Sequence, residues 1–251
     1  MTVMTSLLPD SPSPTLLAQD VAAGYADRTI LRGLDLAVHP GEIYAMLGAN
    51  GAGKSTALSL FLGFLKPRSG TVRVQGTDPA TEPAKARSKL AYIPENVALY
   101  EHLSARENVA YLLRLAGRKE RDAAIGEALA AAGLDPSAHD RRVSGFSKGM
   151  RQKVSIGLAL ARKVPALLLD EPTSGLDPQA VADFHALLAG LRAQGVAVLM
   201  VTHDLLGAVD IADRIGFLDQ GRMAEEVRAA DAERFDVGAL HRRYARLEAA
   251  R

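Results

Sequence analysis

The sequence predicts an α/β chain with a mostly parallel sheet, and three observations carry that prediction. The short apolar runs Glu42 to Leu47, Ala166 to Leu169 and Val196 to Val201 have the length of buried strands. Each is followed by a stretch with helical spacing, beginning near Lys54, Pro178 and Leu205. A glycine-rich turn joins the first of these strands to its helix. Strands that alternate with helices build a parallel sheet and leave ligands at its carboxyl edge.

The elements follow in order. Residues 1–14 are interrupted by Pro9, Pro12 and Pro14 and lack a basic segment ahead of an apolar one, so they read as a flexible lead-in and not a signal peptide. Thr15 to Tyr25 and Gly33 to Val38 carry strand patterns, with Leu34, Leu36 and Val38 alternating in the second. Pro40-Gly41 marks a turn before the apolar strand, and the first helix spans Lys54 to Leu62. Gly70 to Val74 is a further strand, and these early strands are expected to form an antiparallel β subdomain.

From about residue 79 to 163 the texture changes to Ala, Leu, Arg and Glu at helical spacing, read as a helical insertion. Within it, Ser104-Ala105-Arg106-Glu107 is a capping box that opens a helix ending near Gly117. A second helix spans Arg121 to Ala132 and closes at Gly133. The α/β rhythm then resumes: strand Ala166 to Leu169, helix Pro178 to Ala193, strand Val196 to Val201 and helix Leu205 to Ala212. Ile215 to Leu218 and Met223 to Val227 flank Gln220-Gly221 as a hairpin, and residues 229–251 form a helical tail.

Composition narrows the function classes. The 251 residues include 30 Lys and Arg against 29 Asp and Glu, a formal charge of +1, which argues against a surface built throughout for nucleic acid. Cysteine is absent, which excludes disulfides, thiol nucleophiles and thiolate-bound metals. No apolar run approaches the roughly 18–20 residues needed to span a bilayer.

The chemistry concentrates in a few segments. Gly48-Ala49-Asn50-Gly51-Ala52-Gly53-Lys54-Ser55-Thr56 matches G-x-x-x-x-G-K-[ST], between a strand and a helix. Its glycines let successive N–H groups converge on phosphate oxygens, and the helix adds its positive end. Lys54 supplies a point charge for β- and γ-phosphates, and Ser55 a hydroxyl for Mg²⁺. Leu167-Leu168-Leu169-Asp170-Glu171 is an apolar strand ending in an acidic pair. Beside a phosphate loop, Asp170 suits Mg²⁺ and Glu171 suits a general base or water-positioning group. In isolation the pair reads equally as a solvated strand end.

A third segment, Val143-Ser144-Gly145-Phe146-Ser147-Lys148-Gly149-Met150-Arg151-Gln152, lies upstream of the acidic strand. With these three segments in order, the chain resembles the nucleotide-binding subunit of ABC (ATP-binding cassette) transporters, over about Thr15 to Val227. Phe146 to Met150 falls at the family's LSGGQ signature: Ser147 and Gly149 match, Phe146 replaces Leu, Lys148 replaces Gly and Met150 replaces Gln. Lys148 either adds charge to an anion site or faces solvent. Tyr25 falls where the family places an aromatic that stacks on adenine. Ser174-Gly175-Leu176-Asp177 resembles the D-loop, with Asp177 reaching across a dimer, and His203 resembles the switch histidine near the γ-phosphate. One departure is Glu95, which follows Ile93-Pro94 where the family usually has Gln. It either joins Asp170 and Glu171 around one Mg²⁺ or is a solvated loop residue.

The resemblance implies a P-loop NTPase core over residues 15–228 and an ATPase with ATP and Mg²⁺ at its site. Two subunits, a homodimer in the simplest case, would sandwich ATP between Gly48–Thr56 of one and Ser147–Gly149 of the other. It further implies a separate integral membrane permease, and a cytoplasmic position on the inner face of the membrane. The exporter-type members are the nearer match in signature and at Glu95, and no nucleic-acid partner is implied. Residues Asn96 to Glu107, with Leu99, Tyr100 and Leu103, are the expected docking surface. An alternative is an ABC ATPase that clamps protein or nucleic acid without transport. An unrelated kinase or GTPase is disfavoured by the signature segment, by His203 and by the lack of an N-K-x-D motif.

Overall fold

A computed structural model describes residues 13–229 and 235–249. Most of the predicted lead-in, residues 1–12, lies outside the described residues. β1 (Leu16–Tyr25) and β2 (Arg28–Val38) form a hairpin, β3 (Ile43–Leu47) leads into α1 (Lys54–Phe61), and β4 (Ser69–Val74) returns to pair with β1. β2-β1-β4 is the expected antiparallel sheet. β2 starts earlier than its alternating residues predicted, because Tyr25 pairs with Arg28 across the turn and backbone pairing extends the strand through polar residues.

The chain continues through α2 (Pro83–Ser88), β5 (Leu90–Ile93), α3 (Ala105–Leu115), α4 (Asp122–Ala131), α5 (Lys148–Arg162) and β6 (Ala166–Asp170). It then adds α6 (Pro178–Ala193), β7 (Ala197–Thr202), α7 (Leu205–Ile211), β8 (Arg214–Asp219), β9 (Arg222–Arg228) and α8 (Val237–Ala249). The large sheet has the order β5-β6-β7-β3-β8-β9, parallel except for the β8–β9 hairpin.

This order corrects the bounds of the helical insertion. β5 lies inside the stretch read as helical, yet it pairs in parallel with β6 at the edge of the main sheet. Its four residues are too few for a period to register. The helical unit therefore begins beyond Ile93. It has its own core, in which Val109 and Leu113 of α3, Leu129 of α4 and Val154 of α5 pack with Val143. The predicted capping box is formed: Ser104 Oγ accepts from the Glu107 N–H at 3.1 Å, and Glu107 Oε2 accepts from the Ser104 N–H at 2.8 Å.

β3 sits at the centre, hydrogen-bonded to β7 and β8, with all five residues buried. Side chains alternate across a strand. Tyr44 and Met46 pack toward α1 and the antiparallel sheet, whereas Ile43, Ala45 and Leu47 pack against α6 and α7. A strand covered on both faces reads as one continuous apolar run, which is what the sequence shows. Burial on both faces fixes β3, β6 and β7 firmly, and their carboxyl ends hold the loops described next.

Candidate functional site

Leu47 passes directly into the glycine-rich loop. Gly48 has no room for a side chain: a Cβ would lie 2.6 Å from the Leu218 carbonyl oxygen. Gly53 has φ +114°, and a Cβ there would lie 2.8 Å from Leu31 Cδ2. Both glycines are thus required where they stand, one by close packing and one also by its left-handed backbone. Gly53 is the N-cap of α1, with no side-chain cap and no acidic residue in the first turn. The helix's free N–H groups and positive end are left to an incoming anion. Lys54 is buried, donates to the Gly48 carbonyl oxygen, and lies 3.6 Å from Glu171 Oε1.

Asp170 ends β6, half-buried. Burial pushes its carboxyl up, and the nearby negative charges of Glu171 and Glu95 add to this; a hydrogen bond from Tyr92 Oη to Oδ2, at 3.1 Å, works in the opposite sense. The Tyr92 phenol is itself pushed up to about 12 by burial and by Asp170, so it remains a donor throughout the physiological range. Cross-sheet pairing makes this contact: Tyr92 stands opposite Leu168, two residues before Asp170.

Glu171 adopts φ +46°, a left-handed conformation that costs a non-glycine residue roughly 1–2 kcal/mol. Its N–H donates to the Val201 carbonyl at 2.9 Å, extending the β6–β7 pairing by one residue and holding the turn. Its Oε2 accepts from Thr202 Oγ1 at 2.9 Å and from the His203 N–H at 3.2 Å, and lies 2.9 Å from His203 Nδ1. A bond between a carboxylate and Nδ1 requires the proton on the nitrogen. One carboxylate oxygen is thus occupied by three donors, while Oε1 faces Lys54.

Lys54, Asp170 and Glu171 line a cleft of about 390 Å³. Its floor is the loop from Ala49 to Thr56 with Asp170 and Glu171, and Glu95 stands at its edge. The β1–β2 hairpin overhangs it with Tyr25, Arg28 and Ile30, and the Tyr25 ring is 52% exposed. An exposed ring beside a phosphate-sized cradle is placed to stack on a flat base.

The expectation of three carboxylates around one Mg²⁺ is not met. No group of three or more His, Cys, Asp or Glu side chains able to hold a metal occurs among the described residues. Glu171 is drawn toward Lys54, Thr202 and His203. Glu95 Oε1 accepts from Ser174 Oγ at 3.2 Å and lies 3.8 Å from Lys148 Nζ. Mg²⁺ characteristically takes one or two carboxylates together with substrate phosphates and waters, so a single half-buried aspartate in the same cleft as Ser55 fits that donor set.

The signature residues Ser147 to Gly149 do not line this cleft. Ser147 caps α5, its Oγ accepting from the Met150 N–H at 3.3 Å. Asp177 likewise caps α6, accepting from the Ala180 N–H at 2.9 Å, so within this chain its carboxylate serves its own helix. Gln152, buried in α5, donates to the Pro172 carbonyl and ties that helix to the loop after Glu171. Sequence reasoning passed over Arg28, Tyr92, Gln152 and Thr202. Thr202 alone had a local signal, as a polar residue between an apolar strand and His203.

Comparison with known proteins agrees with this geometry. The family model described as "ABC transporter" matches residues 31–174. The linearmycin resistance ATP-binding protein LnrL of Bacillus subtilis is 35% identical over 210 residues, 83% of this chain and 67% of that protein. An Fe(3+) ions import ATP-binding protein, FbpC 2 of Rhodococcus jostii, is 37% identical over 82% of this chain and 60% of its own length. Among solved structures, an ATP-binding subunit of an ABC transporter superposes with a TM-score of 0.81 at 31% identity, over 93% of this chain and 99% of that one. The dimeric cassette MJ0796 in a post-hydrolysis state with ADP and Pi superposes at 0.73 with 27% identity, over 85% and 98%.

Proposed function

This chain belongs to the ABC transporter family as an ATP-binding, ATP-hydrolysing subunit, and we propose that it acts as one half of an ATP sandwich that drives export through a separate membrane permease. The observation that carries this reading is the split of its motifs. The phosphate cradle, Asp170 and Glu171 share one cleft, while Ser147 to Gly149 at the signature helix end do not line it. A second subunit, turned head to tail, supplies the missing signature, as expected of a chain related to a dimeric cassette.

In this reading the Gly48–Gly53 amides and the α1 terminus hold the phosphates, and Tyr25 stacks on the adenine. Lys54 turns from Gly48 and Glu171 to the β- and γ-phosphates. Ser55 and Asp170 hold Mg²⁺, which supplies charge neutralisation when bound. Glu171 Oε1 takes the proton of the attacking water as its oxygen bonds to the γ-phosphorus and the bond to ADP breaks. Thr202 and His203 fix the carboxylate through Oε2 and leave Oε1 for that task. ATP binds the closed pair more tightly than the open one, so it drives closure, and loss of the γ-phosphate reverses it.

The permease docks on the helical unit. Asn108 is fully buried and holds the docking loop: its Oδ1 accepts from the Tyr100 N–H at 2.8 Å, and its Nδ2 donates to the Ser104 carbonyl at 2.9 Å. Tyr100 and Tyr111, both exposed, meet edge to face at 4.9 Å and present an apolar surface beside that loop. No described helix is long and apolar enough to cross a membrane. In this reading the chain works at the inner face through that partner. Similarity to an antibiotic-resistance subunit supports export, together with the Lys148 and Glu95 departures.

The test is Glu171→Gln. ATP binding is retained, hydrolysis falls by about 100-fold or more, the scale of a lost general base, and ATP traps a dimer on size exclusion. Wild-type turnover in that variant, or no ATP-dependent dimer, refutes the reading.

A further inference from the structure

Glu95 and Lys148 depart from the family's motif pattern in opposite electrical senses, an acid in place of a neutral glutamine and a base in place of glycine. The fold brings them together. Lys148 opens α5 in the helical unit, whereas Glu95 follows β5 at the edge of the core sheet. Lys148 Nζ lies 3.8 Å from Glu95 Oε1, and the same oxygen accepts from Ser174 Oγ, in the loop after β6, at 3.2 Å. One carboxylate oxygen therefore joins the core edge, the loop after Glu171 and the signature helix. Glutamine and glycine at these two positions offer no ion pair.

The pair is breakable. The Lys148 and Glu95 side chains are 29% and 45% exposed, and water screens ion pairs of this kind. Lys148 is also the first residue of a helix whose N-terminal turn holds no acid, so the helix end favours an anion there and makes a polyphosphate a strong rival for the ammonium.

We propose that Glu95 is a positioning residue for Lys148, a latch that keeps the signature cation on its own subunit until the partner's ATP takes it. The proposal rests on the ATP-sandwich reading above. In the open chain Lys148 stays on Glu95, and the signature helix stays tied to the core. On closure Lys148 exchanges that carboxylate for the γ-phosphate held by the partner. The latch raises the ATP concentration needed for closure, and Lys148 then contributes a contact that a glycine cannot.

The experiment measures the ATP concentration for half-maximal dimerisation, by sedimentation in the Glu171→Gln background, for Glu95→Gln, Lys148→Met, both together, and the exchanged pair Glu95→Lys with Lys148→Glu. Binding of a fluorescent ATP analogue and thermal melting are followed in parallel. Glu95→Gln lowers the midpoint about two- to fivefold, the scale of a partly solvated ion pair. Lys148→Met raises it, and Glu95→Gln has no further effect in that background. The exchanged pair, which restores a cis ion pair but presents a carboxylate to the partner's phosphate, dimerises least. Equal shifts from Glu95→Gln in both backgrounds overturn the latch but leave the sandwich standing, as does recovery of the wild-type midpoint by the exchanged pair. Absence of any ATP-dependent dimer, with ATP analogue still bound, overturns the sandwich reading and the latch with it.

Discussion

Replacing Tyr92 with phenylalanine removes one oxygen and leaves the ring. That oxygen donates to Asp170 Oδ2 at 3.1 Å, across the β5–β6 pair. A hydrogen bond to a charged acceptor contributes about 1.5–3 kcal/mol. Asp170 is half-buried and opens on the cleft, so water partly replaces the lost donor and the lower end applies, about 1.5 kcal/mol. The bond is already made without metal, so its loss acts on Mg²⁺ through the lost orientation of the carboxylate; with about 1.4 kcal/mol per tenfold, Tyr92→Phe is expected to raise the half-saturating Mg²⁺ concentration for ATP hydrolysis by at most about tenfold. Nucleotide affinity without metal should stay within about twofold, because the groups proposed for phosphate, Lys54 and the glycine loop, are untouched. The acid side of the pH profile should move as well. Tyr92's bond holds the Asp170 carboxyl down against burial, so its loss raises that carboxyl further and moves the onset of Mg²⁺-dependent activity to higher pH. The assay is steady-state ATP hydrolysis against Mg²⁺ at fixed ATP and several pH values, with melting temperatures measured alongside. An unchanged Mg²⁺ dependence with a lowered melting temperature would mean that Tyr92 only packs, and the reasoning would fail.

Three further outcomes are expected. Tyr25→Ala weakens ATP by roughly 5- to 150-fold, the equivalent of about 1–3 kcal/mol of base stacking, but leaves tripolyphosphate binding unchanged; equal losses for both ligands in calorimetry would place the ring elsewhere. Asp170→Asn abolishes Mg²⁺-dependent hydrolysis yet raises the melting temperature of the nucleotide-free chain at pH 7. Burial pushes this carboxyl up, so its ionised form carries a folding penalty above the usual carboxylate range; the difference from wild type narrows as pH falls into that range, and a lower melting temperature at pH 7 would count against the argument. Tyr100→Asp, which places a charge on the exposed tyrosine pair, reduces co-purification with the permease at least severalfold while ATP binding persists; undiminished co-purification would locate the docking surface on another face.

Much of this was legible in the sequence because the decisive signals are local. The phosphate cradle needs closely spaced glycines and a lysine at the start of one helix, all within Gly48 to Thr56, and a strand buried on both faces announces itself as an apolar run such as Ile43 to Leu47. The capping box at Ser104 spans four residues and formed as read. β5 escaped notice because its four residues carry no period and its identity as a strand comes from β6 beside it. Motif position left Glu95 either at a three-carboxylate metal site or as a solvated loop residue; neither position nor residue type reveals that Thr202 and His203 draw Glu171 aside, or that Ser174 and Lys148 hold Glu95.

The sequence by itself determined the class of fold, the phosphate loop and the acidic pair, since each depends on neighbours along the chain. Only the tertiary structure decided which oxygen of Glu171 is occupied, which phenol holds Asp170, and that the two unusual charges at 95 and 148 meet. Those contacts join residues far apart in the chain, and their geometry is set by sheet register and helix packing rather than by any local pattern.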